Sequence, residues 1–218
     1  MTDPTPPASP ALGLRASYDA VAQAYERRYS EELRHKPLDR ALLRVFADDV
    51  GTASVVGDAG CGPGHITAHL YELGLRPVGI DLSPRMIELA RERFPDVDFA
   101  VGSMLALPAD DHSWAGMVAF YSIIHLTSEE LPVAFAEFAR VLAPGGPALL
   151  TFHVGDEVRH VDELLEQPVD VDFHLRQPAD VIKLLRAAGF DVEMSMERAP
   201  YISIEAPTQR GYVLARAR

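Results

Sequence analysis

The sequence predicts an α/β protein built on a doubly wound, mostly parallel sheet. Three observations carry this. From residue 53 onward, short apolar runs alternate with helical periods, the pattern of βαβ units. A glycine-rich stretch, Gly60-Cys61-Gly62-Pro63-Gly64, falls where the first run meets the first helical period. The chain has 218 residues, 48% hydrophobic and 24% charged, which suits one globular domain with a core of its own.

Each element follows from local pattern. Residues 1–13 are proline-rich and polar and read as a disordered leader. Tyr18, Val21, Ala22, Tyr25 and Tyr29 share one face of a helix over 14–30. Leu38, Ala41, Leu42, Val45 and Phe46 repeat that spacing behind Pro37, a good first-turn residue. Residues 14–50 are therefore expected to form a helical lid. Strands are expected at 53–57, 77–80, 97–101, 114–121 and 148–152. Helices are expected at about 65–73, from Ser83-Pro84 to Arg93, and over 129–142, where Pro144-Gly145-Gly146 stops the last. Residues 154–176 are charged and show no clear period. A helix over 178–188 and two closing strands, 190–197 and 211–217, complete a seven-stranded sheet. With no repeat and no second core, 14–218 reads as one domain.

Composition narrows the function. Lysine plus arginine number 20 against 32 acids, a net charge of −12, which argues against nucleic acid as partner. One cysteine excludes an internal disulfide and a cysteine-rich metal cluster. The N-terminus lacks a basic, apolar signal pattern, and the longest apolar stretch, 114–126, is too short to span a bilayer. The expectation is a soluble, cytoplasmic protein, a monomer or homodimer, with no membrane partner.

The glycine stretch defines a ligand type. A dinucleotide fingerprint would need glycine at 65, where the chain has His65, and a phosphate loop would need Gly-Lys-Ser/Thr. Instead Asp58 stands two residues before Gly60, where it would repel a pyrophosphate and attract a cation. The next strand ends in Asp81, placed to accept hydrogen bonds from a ribose. The site thus calls for a nucleoside with a free ribose, a positive charge and no phosphate. S-adenosylmethionine meets that description.

Four segments then resemble the class I S-adenosylmethionine-dependent methyltransferases of the small-molecule, bacterial secondary-metabolism type. They are Asp58 to Gly64, Gly79 to Met86, Val101 to Pro108, and Arg140 to Gly146. The resemblance covers about residues 18–217 and implies a Rossmann-like, seven-stranded sheet with an antiparallel closing strand. It implies that Asp58 and the backbone of Gly60, Cys61 and Gly62 hold the methionine part of the cofactor. Asp81 takes the ribose, Leu82 packs on the adenine, Ser103 and Met104 flank it, and Met86 completes the wall. Relatives often carry Asp where this chain has Ser103, so that contact is weaker here. Phe120 and Tyr121 would face the sulfonium and the acceptor, and Tyr18 or Tyr25 would close over the cofactor.

His125 and His153 follow two strand ends at the ligand edge and are the candidate bases, with Tyr25 beside them. Bases are needed only where the acceptor must lose a proton. Residues 154–176 are expected to form the acceptor wall, together with Tyr18, Tyr25, Tyr29 and Tyr121. The aromatic stripe also suits a helix that merely packs its apolar face. His65 and His69 are spaced as a metal pair, but no third ligand is evident, and no metal is expected. The expected acceptor is a small, aromatic or heteroaromatic metabolite, methylated at O, N or an indole carbon. A protein or RNA acceptor, and a non-catalytic cofactor-binding partner subunit, are the competing readings.

Overall fold

The computed structural model describes residues 10–218; most of the expected leader, residues 1–9, lies outside it. Fifteen main elements follow in order: α1 (Pro10–Tyr29), α2 (Pro37–Val50), β1 (Val55–Ala59), α3 (His65–Glu72), β2 (Arg76–Asp81), α4 (Pro84–Arg93), β3 (Asp98–Val101), β4 (Gly116–Phe120), α5 (Glu130–Val141), β5 (Pro147–His153), β6 (Val158–Leu164), β7 (Gln167–His174), α6 (Pro178–Ala187), β8 (Phe190–Arg198) and β9 (Arg210–Ala217).

Seven strands form one sheet in the order β3-β2-β1-β4-β5-β9-β8. Neighbours from β3 to β5 are parallel, and β9 is antiparallel to both β5 and β8. The chain winds from β1 out through β2 to one edge and then returns to the far side of β1 with β4. That reversal opens a crevice at the carboxyl ends of β1 and β4, where ligands bind in such sheets.

Strand alternation builds two core faces. Met117 and Ala119 of β4 pack with Phe135 and Phe138 of α5 and Leu185 of α6. Val118 points the other way, to Leu43 and Phe46 of α2 and Ile66 and Leu70 of α3. Helix α2 is therefore a core layer, not part of a lid as expected: Leu43, Phe46 and Ala47 are buried, while Ala41 and Val45 of the expected face are exposed. A Cβ on Gly57 would lie 2.1 Å from the Trp114 ring, so the smallest residue in β1 admits the largest side chain beside it.

Helix starts obey the expected chemistry. Ser83 caps α4 by accepting the Met86 N–H at 3.1 Å, with Pro84 next. Thr127 and Glu130 form a reciprocal capping box at α5, with N–H bonds of 2.9 and 3.2 Å.

Three further expectations are corrected. Helix α1 begins at Pro10, so the last residues of the expected leader are helical. Strand β4 ends at Phe120, because Tyr121 turns to φ +50° and leaves the ladder. Residues 158–174 are not irregular but an antiparallel hairpin, β6–β7. Its central turn residues, Leu165 and Glu166, have φ of +54° and +63°, the handedness of a two-residue hairpin turn made without Asn or Gly.

Candidate active site

The crevice widens into a cavity of about 1100 Å³. Single small-molecule pockets hold roughly 300–1,000 Å³, so this one has room for a nucleoside cofactor and a second molecule. Helix α1 and the β6–β7 hairpin roof it. Ser17 joins them, accepting the Asp170 N–H at 2.9 Å and donating to the Asp170 carbonyl at 3.3 Å. On its other flank α1 is tied to α4: Asp19 accepts from the Ser83 hydroxyl at 2.6 Å and the Arg85 N–H at 3.2 Å.

One end of the cavity is the glycine loop. Gly60 has φ +76°, and a Cβ there would lie 2.3 Å from that of Ser122, so only glycine fits. The N–H groups of Gly60 and Cys61 both donate to the Ile80 carbonyl, at 2.7 and 3.0 Å. The Gly62 N–H donates to Asp81 Oδ2 at 2.8 Å. These three donors are spent inside the protein, unlike those of a phosphate cradle. Asp81 Oδ1 also accepts the Ser83 N–H at 2.9 Å. Its carboxylate is thus aimed by two backbone bonds at the end of β2, while burial raises its pKa. Asp58 is 1% exposed and accepts from the Thr67 hydroxyl at 2.7 Å. Burial pushes it up to about 6, so a bound cation would favour its charged form. The donor set fits S-adenosylmethionine: two acids, no basic side chain in the loop other than His65, and a glycine cradle closed to larger residues.

The other expected cofactor residues fall around this end. Leu82, Met86, Met104 and Phe120 line the cavity. The Ser103 hydroxyl accepts the Leu105 N–H at 3.1 Å, so it is held at the rim by its own turn. Cys61 contributes backbone only, since its side chain packs with Ile87 and Phe99 in a small core cluster. The Tyr25 ring stands 4.0 Å from where a Gly62 Cβ would be, over the loop, and burial keeps its phenol neutral.

The second end holds the histidines, and their hydrogen bonds fix their tautomers. His125 Nδ1 lies 3.2 Å from the Asp172 carbonyl, which can only accept, so Nδ1 carries the proton. Its Nε2 lone pair receives the Tyr18 hydroxyl at 2.7 Å. Burial holds His125 down to about 4. The Tyr18 and Phe173 rings stand edge-on to it at 5.1 and 4.9 Å. His153 is the reverse case. Its Nδ1 accepts from the Arg210 guanidinium at 2.8 Å, and a guanidinium only donates, so the proton sits on Nε2. Burial and the Arg210 charge hold His153 down to about 3.

Sequence reasoning missed a buried charged cluster beside His153. Lys36, Arg210, Arg198, Glu205 and Asp39 come from four separate segments. The Tyr121 ring has the Lys36 ammonium at 5.0 Å and the Arg210 guanidinium at 5.4 Å, and its hydroxyl meets that of Tyr212 at 3.2 Å. Two protein cations thus lie over this ring, which also lines the cavity. Burial alone would raise Glu32, but the His65 hydrogen bond and the Lys36 charge outweigh it and hold it near about 2. His65 therefore serves Glu32 at 3.1 Å, whereas His69 meets Glu72 at 3.4 Å, so the suspected metal pair is split between two carboxylates. The one hint in the sequence was that lysine occurs only at 36 and 183.

Comparison with known proteins bears on the domain and the fold. Residues 56–146 match the family model described as a methyltransferase domain. A demethylmenaquinone methyltransferase of Chlorobaculum tepidum is 34% identical over 145 residues, 63% of this chain and 58% of that one. The fold is shared with the magnesium protoporphyrin IX methyltransferase of Synechocystis, solved with S-adenosylmethionine (TM-score 0.75, 17% identity, 100% of both chains). It is shared too with the 1,6-didemethyltoxoflavin-N1-methyltransferase of Burkholderia thailandensis (TM-score 0.73, 23% identity, 99% of this chain and 93% of that one). The chain thus carries a stretch that matches a methyltransferase domain, on a fold shared with solved S-adenosylmethionine-dependent methyltransferases. It spans about half the length of the curated relatives it matches.

Proposed function

We propose that the protein transfers the methyl group of S-adenosylmethionine to a small, flat aromatic or heteroaromatic acceptor, with His125 as the base. The observation that carries this is a neutral imidazole, its Nε2 lone pair fixed by the Asp172 carbonyl, in the same roofed cavity as Asp81. When bound, the cofactor supplies a methyl group on a sulfonium, transferred by in-line displacement. Asp81 would orient the ribose and Tyr25 would cover the glycine loop. Tyr18 holds the His125 lone pair until an acceptor O–H or N–H takes its place. His125 Nε2 then accepts that proton. His153, whose Nδ1 lone pair is committed to Arg210, serves as a hydrogen-bond donor rather than a second base. The roof of α1 and β7, with Tyr18, Tyr25 and Phe173 among its lining residues, would set the acceptor beside the reacting carbon.

A roof of this kind favours a small acceptor over a protein or RNA, and the net charge of −12 points the same way. The relative named for demethylmenaquinone is in line with a flat acceptor. A screen of phenols, amines and indoles that reads S-adenosylhomocysteine release tests the proposal. The expected result is turnover of at least one aromatic class, with kcat falling about 10²–10⁴-fold in His125→Gln and KM little changed. Unchanged turnover in that variant would remove His125 as the base.

A further inference from the structure

We propose that the acceptor is uncharged and carries a carbonyl on its ring system, and that His153 Nε2–H holds that carbonyl while His125 Nε2 faces the O–H or N–H to be methylated. This rests on the methyl-transfer reading above and deepens it by naming the acceptor class.

His153 offers the cavity one fixed donor. Its Nδ1 lies 2.8 Å from the Arg210 guanidinium and 2.7 Å from the Thr208 hydroxyl. A guanidinium only donates, so Nδ1 is a filled lone pair and the ring proton is on Nε2. The Tyr121 ring packs beside the imidazole at 5.4 Å, inclined by 38°, and helps to fix its plane. His153 lines the cavity, and its Nε2–H has no protein acceptor among the described residues. Nε2 is also not one of the sealed, unpartnered side-chain atoms, whereas Arg210 Nε is. A ligand can therefore reach the imidazole N–H and cannot reach Arg210 Nε. His125 lines the same cavity with the opposite tautomer, its lone pair on Nε2. The two rings are near enough for a proton on His125 to repel one on His153. One flat molecule can thus meet a donor on one side and a lone pair on the other.

The charges around His153 decide what kind of group its donor receives. Lys36 meets Glu32 at 2.7 Å and Glu205 at 3.5 Å. Arg198 meets Glu205 at 2.6 Å and Asp39 at 3.4 Å. Arg210 stands 3.6 Å from Glu205. Three cations are thus answered by three carboxylates, and a further anion would be buried beside a balanced set, at a desolvation cost that nothing repays. A carbonyl oxygen accepts a neutral imidazole N–H and brings no charge to desolvate. A hydroxyaryl ketone, a hydroxyquinone and a hydroxylated aromatic lactam share this chemistry: a hydroxyl for His125 and a carbonyl for His153.

Calorimetry on protein saturated with S-adenosylhomocysteine tests this with two pairs that differ in the carbonyl alone. They are 7-hydroxy-1-tetralone against 5,6,7,8-tetrahydro-2-naphthol, and 3-hydroxyacetophenone against 3-ethylphenol. The hydroxyl is meta to the carbonyl-bearing carbon in both ketones, so its acidity changes little. The expected result is about three- to tenfold tighter binding of the ketone in one pair or both, the worth of one neutral hydrogen bond. The preference should vanish in His153→Leu and persist in His153→Gln, whose amide both accepts from Arg210 and donates onward. S-adenosylhomocysteine affinity should be unchanged in both variants. A ring that merely packed there would weaken both members of a pair alike. The wild-type comparison needs no variant to fold. Equal affinity, or none, for both members of both pairs would overturn the proposal, and so would a preference that survives in His153→Leu. Tighter binding of 3-hydroxybenzoate than of 3-hydroxyacetophenone would overturn it too, by revealing a site for an anion. Indifference to the carbonyl with S-adenosylhomocysteine bound would leave the methyl-transfer reading standing, whereas failure of S-adenosylhomocysteine to bind would remove both.

Discussion

His125 follows β4 and His153 ends β5, yet the molecule gives these two histidines opposite tautomers. The difference is one hydrogen bond each: a carbonyl at Nδ1 of His125, a guanidinium at Nδ1 of His153. Sequence shows both histidines near the ligand edge but cannot show which nitrogen holds the proton, because Asp172 and Arg210 arrive from distant segments. Both rings are kept neutral, and His153 has a folded pKa of about 3 against an ordinary value near 6.5. As pH falls below 6.5, the unfolded chain binds a proton that the folded ring refuses, so this residue subtracts stability on acidification. His153→Gln keeps an acceptor for Arg210 and removes that titration. Thermal unfolding should therefore show the wild type losing roughly 2 kcal/mol relative to the variant between pH 7 and pH 5. Parallel curves for the two proteins would mean that the His153 ring is not held neutral.

At the scale of elements, the legible parts were those whose chemistry is local. The five parallel strands, the Ser83-Pro84 cap and the glycine loop all follow from neighbouring residues. The β6–β7 hairpin did not, although Val169, Val171 and Phe173 alternate with Asp170 and Asp172. Its turn residues, Leu165 and Glu166, carry none of the usual signals for positive φ. Charge on both strands hid the period further. That strain is testable: replacing Leu165-Glu166 by Asn-Gly, which adopts this turn readily, should raise the melting temperature and slow proteolysis within 158–174. A lower melting temperature would contradict the turn geometry. The hairpin matters because Ser17 joins it to α1, making one roof from two ends of the sequence.

Across the whole molecule, the sheet reversal between β1 and β4 places two sets of groups around one cavity. The acids Asp58 and Asp81 come from the strand ends of β1 and β2, a short-range pattern that the sequence displays. The buried charged cluster comes from the start of α2, the end of β8, the loop before β9 and β9 itself, which inserts antiparallel between β5 and β8. Only that insertion brings Arg210 to His153 and Tyr212 to Asp39, so no spacing rule reveals the cluster. The same topology explains the two roofing elements, since α1 must cross from Asp19 at α4 to Tyr18 at His125.

The central claim is that two buried carboxylates at the ends of β1 and β2 hold a phosphate-free, cationic nucleoside. Titration calorimetry with S-adenosylhomocysteine, run beside NADH on wild type and Asp81→Asn, tests it most directly. The account predicts one site per chain for S-adenosylhomocysteine, at least tenfold weaker binding in the variant, and no heat from NADH. Binding of NADH in preference, or S-adenosylhomocysteine affinity indifferent to Asp81, would contradict it.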